Sequence, residues 1–132
     1  MRFICSEHET FYEDCLKKSN KADCYHKALF YVLGLTEGCR NNVDCLYDWD
    51  DCCVKDHFGG KGCGWITGTD SRIIRLAYNL FNGGAPTAFD LKDRKEREEE
   101  LMTYLPSSIF GGLGSELVEF CFEGIRIRYE MA

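Results

Sequence analysis

The sequence predicts a small, mainly α-helical single domain. Three observations carry that prediction. Apolar residues recur at three- and four-residue spacing in several segments. Residues that start and stop helices, chiefly Ser, Thr, Asp, Asn and Gly, separate those segments. The chain has 132 residues and only two prolines, which suits one domain without Pro-rich linkers. With 45% hydrophobic and 29% charged residues, the balance is that of a globular chain rather than a disordered one.

The elements follow in order. Ser6 and Glu9 read as a Ser-x-x-Glu capping box. The helix they open carries Tyr12, Cys15 and Leu16 on one side and ends near Ser19-Asn20. A second helix, from about Ala22 to Leu33, has Tyr25, Ala28, Leu29, Val32 and Leu33 at helical spacing, and Gly34 marks its end. Thr36 caps a third, short helix through Cys39, Val43, Leu46 and Tyr47. Residues 48–64 have no helical or strand period and read as an irregular loop. Thr69 or Asp70 caps a helix through Ile73, Ile74, Ala77, Leu80 and Phe81, stopped by Gly83-Gly84, with Arg72 and Arg75 on its first turns. Asp90 caps a helix over LKDRKEREEELMTYL, charged all round in its middle and closed by Pro106. IFGGLGS reads as a joint. Ser115 starts the last helix, with Leu117, Val118, Cys121, Phe122 and Ile125 on one face. The alternation in IRIRY also fits a short strand at 125–129.

The composition excludes several function classes. A net charge of −6, from 22 acidic and 16 basic residues, argues against general affinity for nucleic acid. The start, MRFICSEHETFYEDC, lacks the apolar region of a signal peptide, and no stretch approaches the length of a membrane span. The expected location is the cytoplasm, where thiols stay reduced, and the expected state is a monomer. Nine cysteines is an odd number, so they cannot all pair within the chain.

Chemistry concentrates in residues 44–65, DCLYDWDDCCVKDHFGGKGCGW. Cys15, Cys24, Cys39 and Cys121 sit beside apolar neighbours and read as small hydrophobes. By contrast, Cys45, Cys52, Cys53, His57 and Cys63 lie in or beside irregular chain. Thiolate and imidazole are the donors zinc prefers, and Gly59, Gly60, Gly62 and Gly64 let the chain turn sharply enough to bring them together. The Cys-x6-Cys-x4-His-x5-Cys spacing is not that of a standard zinc finger. Adjacent Cys52 and Cys53 rarely share one ion, so one of the two reads as structural. Ordering a loop costs roughly 1–2 kcal/mol per residue in backbone entropy. A structural zinc contributes on the order of 10–16 kcal/mol in finger peptides, enough to offset much of that. The expectation is a zinc-stapled loop. Its aspartates, Asp44, Asp48, Asp50, Asp51 and Asp56, would then form a fixed acidic surface. A hard-cation site is disfavoured, because the regular Asp-x-Asp-x-Asp-Gly loop is missing.

Enzymatic signatures are weak. No HExxH motif occurs, His8-Glu9 lacks the second histidine, and GGKGCG does not match a P-loop. None of His8, His26 and His57 sits beside a cysteine in a recognisable active-site motif. The expectation is a protein that is not an enzyme.

Three segments carry a family likeness: ALFYVLGLTEGCRNNVDCLYDWDDCCVK (28–55), GWITGTDSRIIRLAYNLFNGG (64–84) and FCFEGIRIRY (120–129). They resemble a family of small uncharacterised proteins of prophages and mobile elements in Firmicutes. The most specific parts are the run from Arg75 to Gly84 and the ending from Glu123 to Tyr129. Cys39 and Cys53 stand closer to the family pattern, whereas Cys45, Cys52, His57 and Cys63 look like additions to it. Small acidic proteins of such elements include anti-CRISPR inhibitors, one of them zinc-containing and directed at a type II CRISPR effector. The resemblance therefore implies an inhibitor of a host CRISPR effector nuclease, binding protein rather than nucleic acid or membrane. Asp48, Asp50 and Asp51 would supply charge, and Trp49 and Phe58 apolar anchors. Trp49 reads equally as a cap on the core beneath the loop. Glu96–Glu100 is a second candidate surface. The alternatives are an adaptor for another host protein and a zinc-dependent hydrolase or nuclease.

Overall fold

The structure, a computed structural model, describes residues 1–56 and 62–131. It is mainly α-helical, as the spacing of apolar residues predicts. Seven helices are present among the described residues: α1 (Ser6–Ser19), α2 (Cys24–Leu33), α3 (Glu37–Asn41), α4 (Gly68–Asn82), α5 (Arg94–Met102), α6 (Pro106–Phe110) and α7 (Ser115–Arg128). The one sheet among them is a two-stranded antiparallel hairpin, β1 (Tyr47–Asp48) with β2 (Cys53–Val54).

Helix α2 lies at the centre. Six consecutive residues, Ala28 to Leu33, have no exposed surface at all. A helix that is apolar all round must be covered all round. Helices α4, α7 and α1 supply the cover. From α4 come Ile73, Ile74, Ala77 and Tyr78, from α7 Phe120 and Cys121, and from α1 Tyr12 and Cys15. Helix α7 approaches closely because residue 124 is glycine. A Cβ there would stand 2.4 Å from Cγ2 of Val32.

Several boundaries differ from the sequence reading. Ser6 does not cap α1. Cys5 holds the cap position without a side-chain bond, and the entering chain is fastened by Ile4 N–H donating to His8 Nδ1. Asp23 caps α2, so the helix starts at Cys24 rather than Ala22. Thr36 caps α3 as read. Beyond Asn41, however, the chain passes through a 3-10 turn at Val43–Cys45 and into β1, because Leu46 and Tyr47 are drawn into the core. Thr67 caps α4, two residues before Thr69, and Asp70 closes a reciprocal capping box with it from the third helical position. Helix α5 is capped by Asp93, not Asp90, and has no buried residue, which fits its all-round charge. Pro106 does not close α5, which ends at Met102; it opens α6 at the first helical position. Residues 125–128 continue α7 instead of forming a strand, with Gly124 and Ile125 against the core. The buried face of α7 runs through Phe120, Cys121 and Gly124. Phe122 is 42% exposed.

His8 is fully buried. Tyr31 is in the last turn of α2, where carbonyls lack a partner within the helix. His8 Nε2 lies 2.7 Å from that carbonyl oxygen and donates to it. Its Nδ1 accepts from Ile4, so the neutral tautomer satisfies both nitrogens. Protonation would set Nδ1–H against the Ile4 N–H. Burial accordingly holds the imidazole pKa below its ordinary value. In the unfolded chain a histidine titrates near about 6.5, so the unfolded state takes up this proton first as pH falls. His8 therefore contributes stability that is fully present above that value and is lost as pH falls toward the folded-state pKa. The urea midpoint should drop between about pH 7.5 and about pH 5.5, and His8→Gln should flatten that dependence. An unchanged slope in the variant would assign the acid sensitivity elsewhere.

Candidate protein-binding surface

The stretch from Val43 to Asp56 folds over one end of α2. Tyr47 pairs with Val54 and Asp48 with Cys53. Lys55 N–H closes the ladder on the Leu46 carbonyl at 2.9 Å. Between the strands, the Asp48 carboxylate accepts the backbone N–H groups of Asp50 and Asp51, at 3.0 and 3.1 Å. An aspartate that bonds the backbone two and three residues on is a turn former. Cys52 then takes a left-handed conformation, φ 56°, to re-enter β2. The carboxylates of Asp50 and Asp51 are left at the exposed tip.

Trp49 pins this turn to the core. Its ring stacks on Phe30 at 5.7 Å between centroids and meets the edge of Tyr47 at 4.8 Å. Its indole N–H donates to Asp44 at 2.7 Å. Lys18 from α1 stands over the ring at 4.2 Å and lies 3.6 Å from the Asp44 carboxylate. Trp49 is thus the cap on the core, with its outer face half-exposed.

Beneath it runs a polar relay that the sequence reading did not identify. Asp23, at the start of α2, bonds His26 Nδ1 at 2.9 Å. His26 Nε2 in turn meets the Tyr47 hydroxyl at 2.9 Å. The signal was legible as Asp-x-x-His at a helix start, a spacing that puts the imidazole over the cap. His26 and Tyr47 are both buried, so the relay fastens the hairpin to α2 rather than presenting a nucleophile. Burial also raises the Tyr47 phenol above its ordinary value.

The candidate zinc residues are dispersed along this surface. Cys45 ends the 3-10 turn. Cys52 turns its Sγ toward the Trp49 carbonyl at 3.7 Å. Cys53 is exposed on β2, and Cys63 is half-buried ahead of α4. Among the described residues, no group of three or more His, Cys, Asp or Glu side chains is arranged to hold a metal ion. His57 and Phe58 lie outside the described residues. The Cys53 thiol pKa is raised, first by burial and then by Asp51, Asp48 and Asp56, so its thiolate is disfavoured. A cavity of about 320 Å³ beside β2 is lined by Asp48, Asp51, Cys53 and Asp56, with Val54 and Lys55.

The second candidate surface, Glu96–Glu100, is only partly available. Glu100 is tied to Arg75 at 3.0 Å and accepts the Thr87 hydroxyl, which anchors α5 to α4. Glu98 pairs with Arg94 along the helix.

A family described as of unknown function, DUF6075, matches residues 1–132, the whole chain. The chain belongs to that family. No curated protein and no solved structure matches it. The DUF6075 chain has no helix, among its described residues, long and apolar enough to cross a membrane.

The relay generates a stability prediction for this DUF6075 member. Tyr47→Phe keeps the ring and leaves His26 Nε2 without a partner, which should cost about 1–3 kcal/mol. Denaturant unfolding followed by circular dichroism measures it. Equal stability of variant and parent would mean that the relay does not hold the hairpin.

Proposed function

We propose that this protein acts by binding, as an inhibitor that occupies a basic surface on a larger protein. The observation that carries the reading is the acidic turn. Asp50 and Asp51 stand exposed on a hairpin whose conformation is fixed by the Asp48 carboxylate and by Trp49 packed on the core. Charge held on a rigid support loses little conformational freedom on binding and steers encounter with a cationic partner. The family likeness suggests the partner: the effector nuclease of a type II CRISPR system, whose basic channel must hold a nucleic-acid duplex. Occupying that channel would block target DNA loading or cleavage, and the site of action would be the host cytoplasm.

Purified effector, guide and target DNA provide the test. The protein should suppress cleavage. Asp50→Lys with Asp51→Lys should weaken suppression at least tenfold, and added salt should weaken it in the parent. These two positions are preferred to Asp48, which also builds the turn. Suppression that ignores both charge reversal and salt would exclude the acidic turn as the contact.

A structural zinc is the second part of the proposal. Its ligands would come from Cys45, Cys52 or Cys53, His57 and Cys63. Protein purified under reducing conditions without a metal-affinity tag should carry about one zinc per chain. Metal-free protein with nine titratable thiols and an intact fold would remove zinc from the reading.

A further inference from the structure

The surface of α1 beside the hairpin carries an unassigned groove. Glu7, Phe11, Asp14 and Lys18 recur every three to four residues on α1 and share one face, which spans about 16 Å. This face forms one wall, and α3 with the 3-10 turn and Trp49 forms the other. Two cavities lie along it and adjoin, because both are lined by Phe11 and Asp14. The larger, about 720 Å³, is edged by Glu7, Asp14 and Glu37 and contains Arg40. The smaller, about 200 Å³, is walled by Phe11, Cys15, Val43 and Trp49, with Lys18 at its mouth.

The charges along this groove do not cancel. Among the described residues, none of Glu7, Asp14 and Glu37 is in an ion pair. Of the two cations, Lys18 stands over Trp49 beside Asp44, while Arg40 donates to the Gly34 carbonyl at 2.7 Å and its charge still acts on Glu7. The groove therefore offers an apolar slot with room for one large side chain, next to an open trough edged by three carboxylates. Of these, Glu7 also feels Arg40, and Asp14 and Glu37 are in no ion pair among the described residues. A second copy of this chain, with a net charge of −6, would bring like charge to that trough.

We infer that this groove takes a basic amphipathic segment of the partner protein. One leucine-sized or aromatic side chain would enter the slot between Phe11 and Trp49. Arginine or lysine side chains about one turn away would lie against Glu7, Asp14 and Glu37. This is the recognition of an amphipathic segment by a groove, with the apolar anchor giving affinity and the acidic edges giving register. The inference deepens the binding reading above and rests on it. It locates the partner's anchor between α1 and α3, while the acidic turn meets a separate part of the partner.

The test uses the full chain and three synthetic peptides of about 14 residues: leucines at four-residue intervals among arginines, arginines alone, and leucines among glutamates. Two-dimensional NMR reads the Trp49 indole N–H and the amides of Phe11 and Val43 during titration near physiological salt. The leucine–arginine peptide should shift these signals and bind at least tenfold more tightly than either control. Asp14→Lys with Glu37→Lys should weaken it at least tenfold. Asp14→Asn with Glu37→Gln, a milder pair that keeps the fold should the first not, should weaken it less. Asp50→Lys with Asp51→Lys should change it less than threefold.

Equal binding of arginines alone would overturn the apolar slot. Shifts confined to residues 48–53, or none, would overturn the groove. Effector cleavage assays separate that failure from failure of the binding reading. If suppression is lost in the turn variant and kept in the groove variant, the groove is wrong and the acidic turn stands. If both variants suppress like the parent, the charge-based reading itself fails.

Discussion

Burying the last six residues of α2 on every side imposes conditions on the rest of the chain. With these six residues fully enclosed, the carbonyls of the last turn cannot turn to water. The C-terminal end recruits a side chain from another helix, while the N-terminal end is capped by the residue just before it. At the N-terminal end Asp23 accepts the His26 N–H and holds the His26 ring, which reaches Tyr47. In the last turn His8 crosses from α1 to donate to the Tyr31 carbonyl. His8 thus satisfies a carbonyl at one end of the helix, and His26 ties the other end to the hairpin. The close approaches follow from the same condition. Gly34 leaves room for the His8 ring, which a Cβ would meet at 2.5 Å, and Gly124 leaves room for Val32. The hairpin's position is a consequence of this arrangement, since Tyr47 can answer His26 only from β1.

How far the sequence revealed this depended on the range of each interaction. Local signals were legible. The Thr36 cap, the Gly83 stop at φ 77° and the charged exterior of α5 all follow from residues within one or two turns. Where two local signals competed, tertiary packing decided. Thr67, Thr69 and Asp70 all suit a helix start, and only the pair three residues apart closes a capping box. Asp70 is buried there, against Gly38, whose missing Cβ admits the carboxylate. Asp90 and Asp93 competed in the same way. The IRIRY alternation mimicked a strand because arginines and isoleucines alternate. In the helix, Arg128 reaches the Leu80 carbonyl and holds α7 against the end of α4. Nothing within residues 125–129 encodes that contact.

The cysteines divide by environment. Burial pushes the thiols of Cys15, Cys39 and Cys121 up to about 12, so at neutral pH they are protonated core side chains. That matches their apolar spacing in the sequence. The loop set was less legible, since convergence on an ion is a property of the folded loop and not of spacing alone. Cys52 and Cys53 illustrate the point. The first takes a left-handed turn position and faces the Trp49 carbonyl, while the second is exposed on β2 among aspartates. Neighbours in sequence, they stand in chemically distinct surroundings.

Rigidity is what links the fold to the proposed binding role. An acidic loop free to move would gain charge attraction on meeting a partner and lose much of it to ordering its own backbone. Here contacts within the chain itself hold the turn. Asp48 spends its carboxylate on the turn's own N–H groups, Asp44 on the Trp49 indole, and Trp49 its ring on Phe30 and Tyr47. The residues that build the turn are therefore different from those that can face a partner, Asp50 and Asp51. The same division holds along α1. His8, Tyr12, Cys15 and Ser19 face the core, while Glu7, Phe11, Asp14 and Lys18 edge the groove. A single helix thereby fixes the core with one face and leaves the adjacent one acidic, open and already shaped.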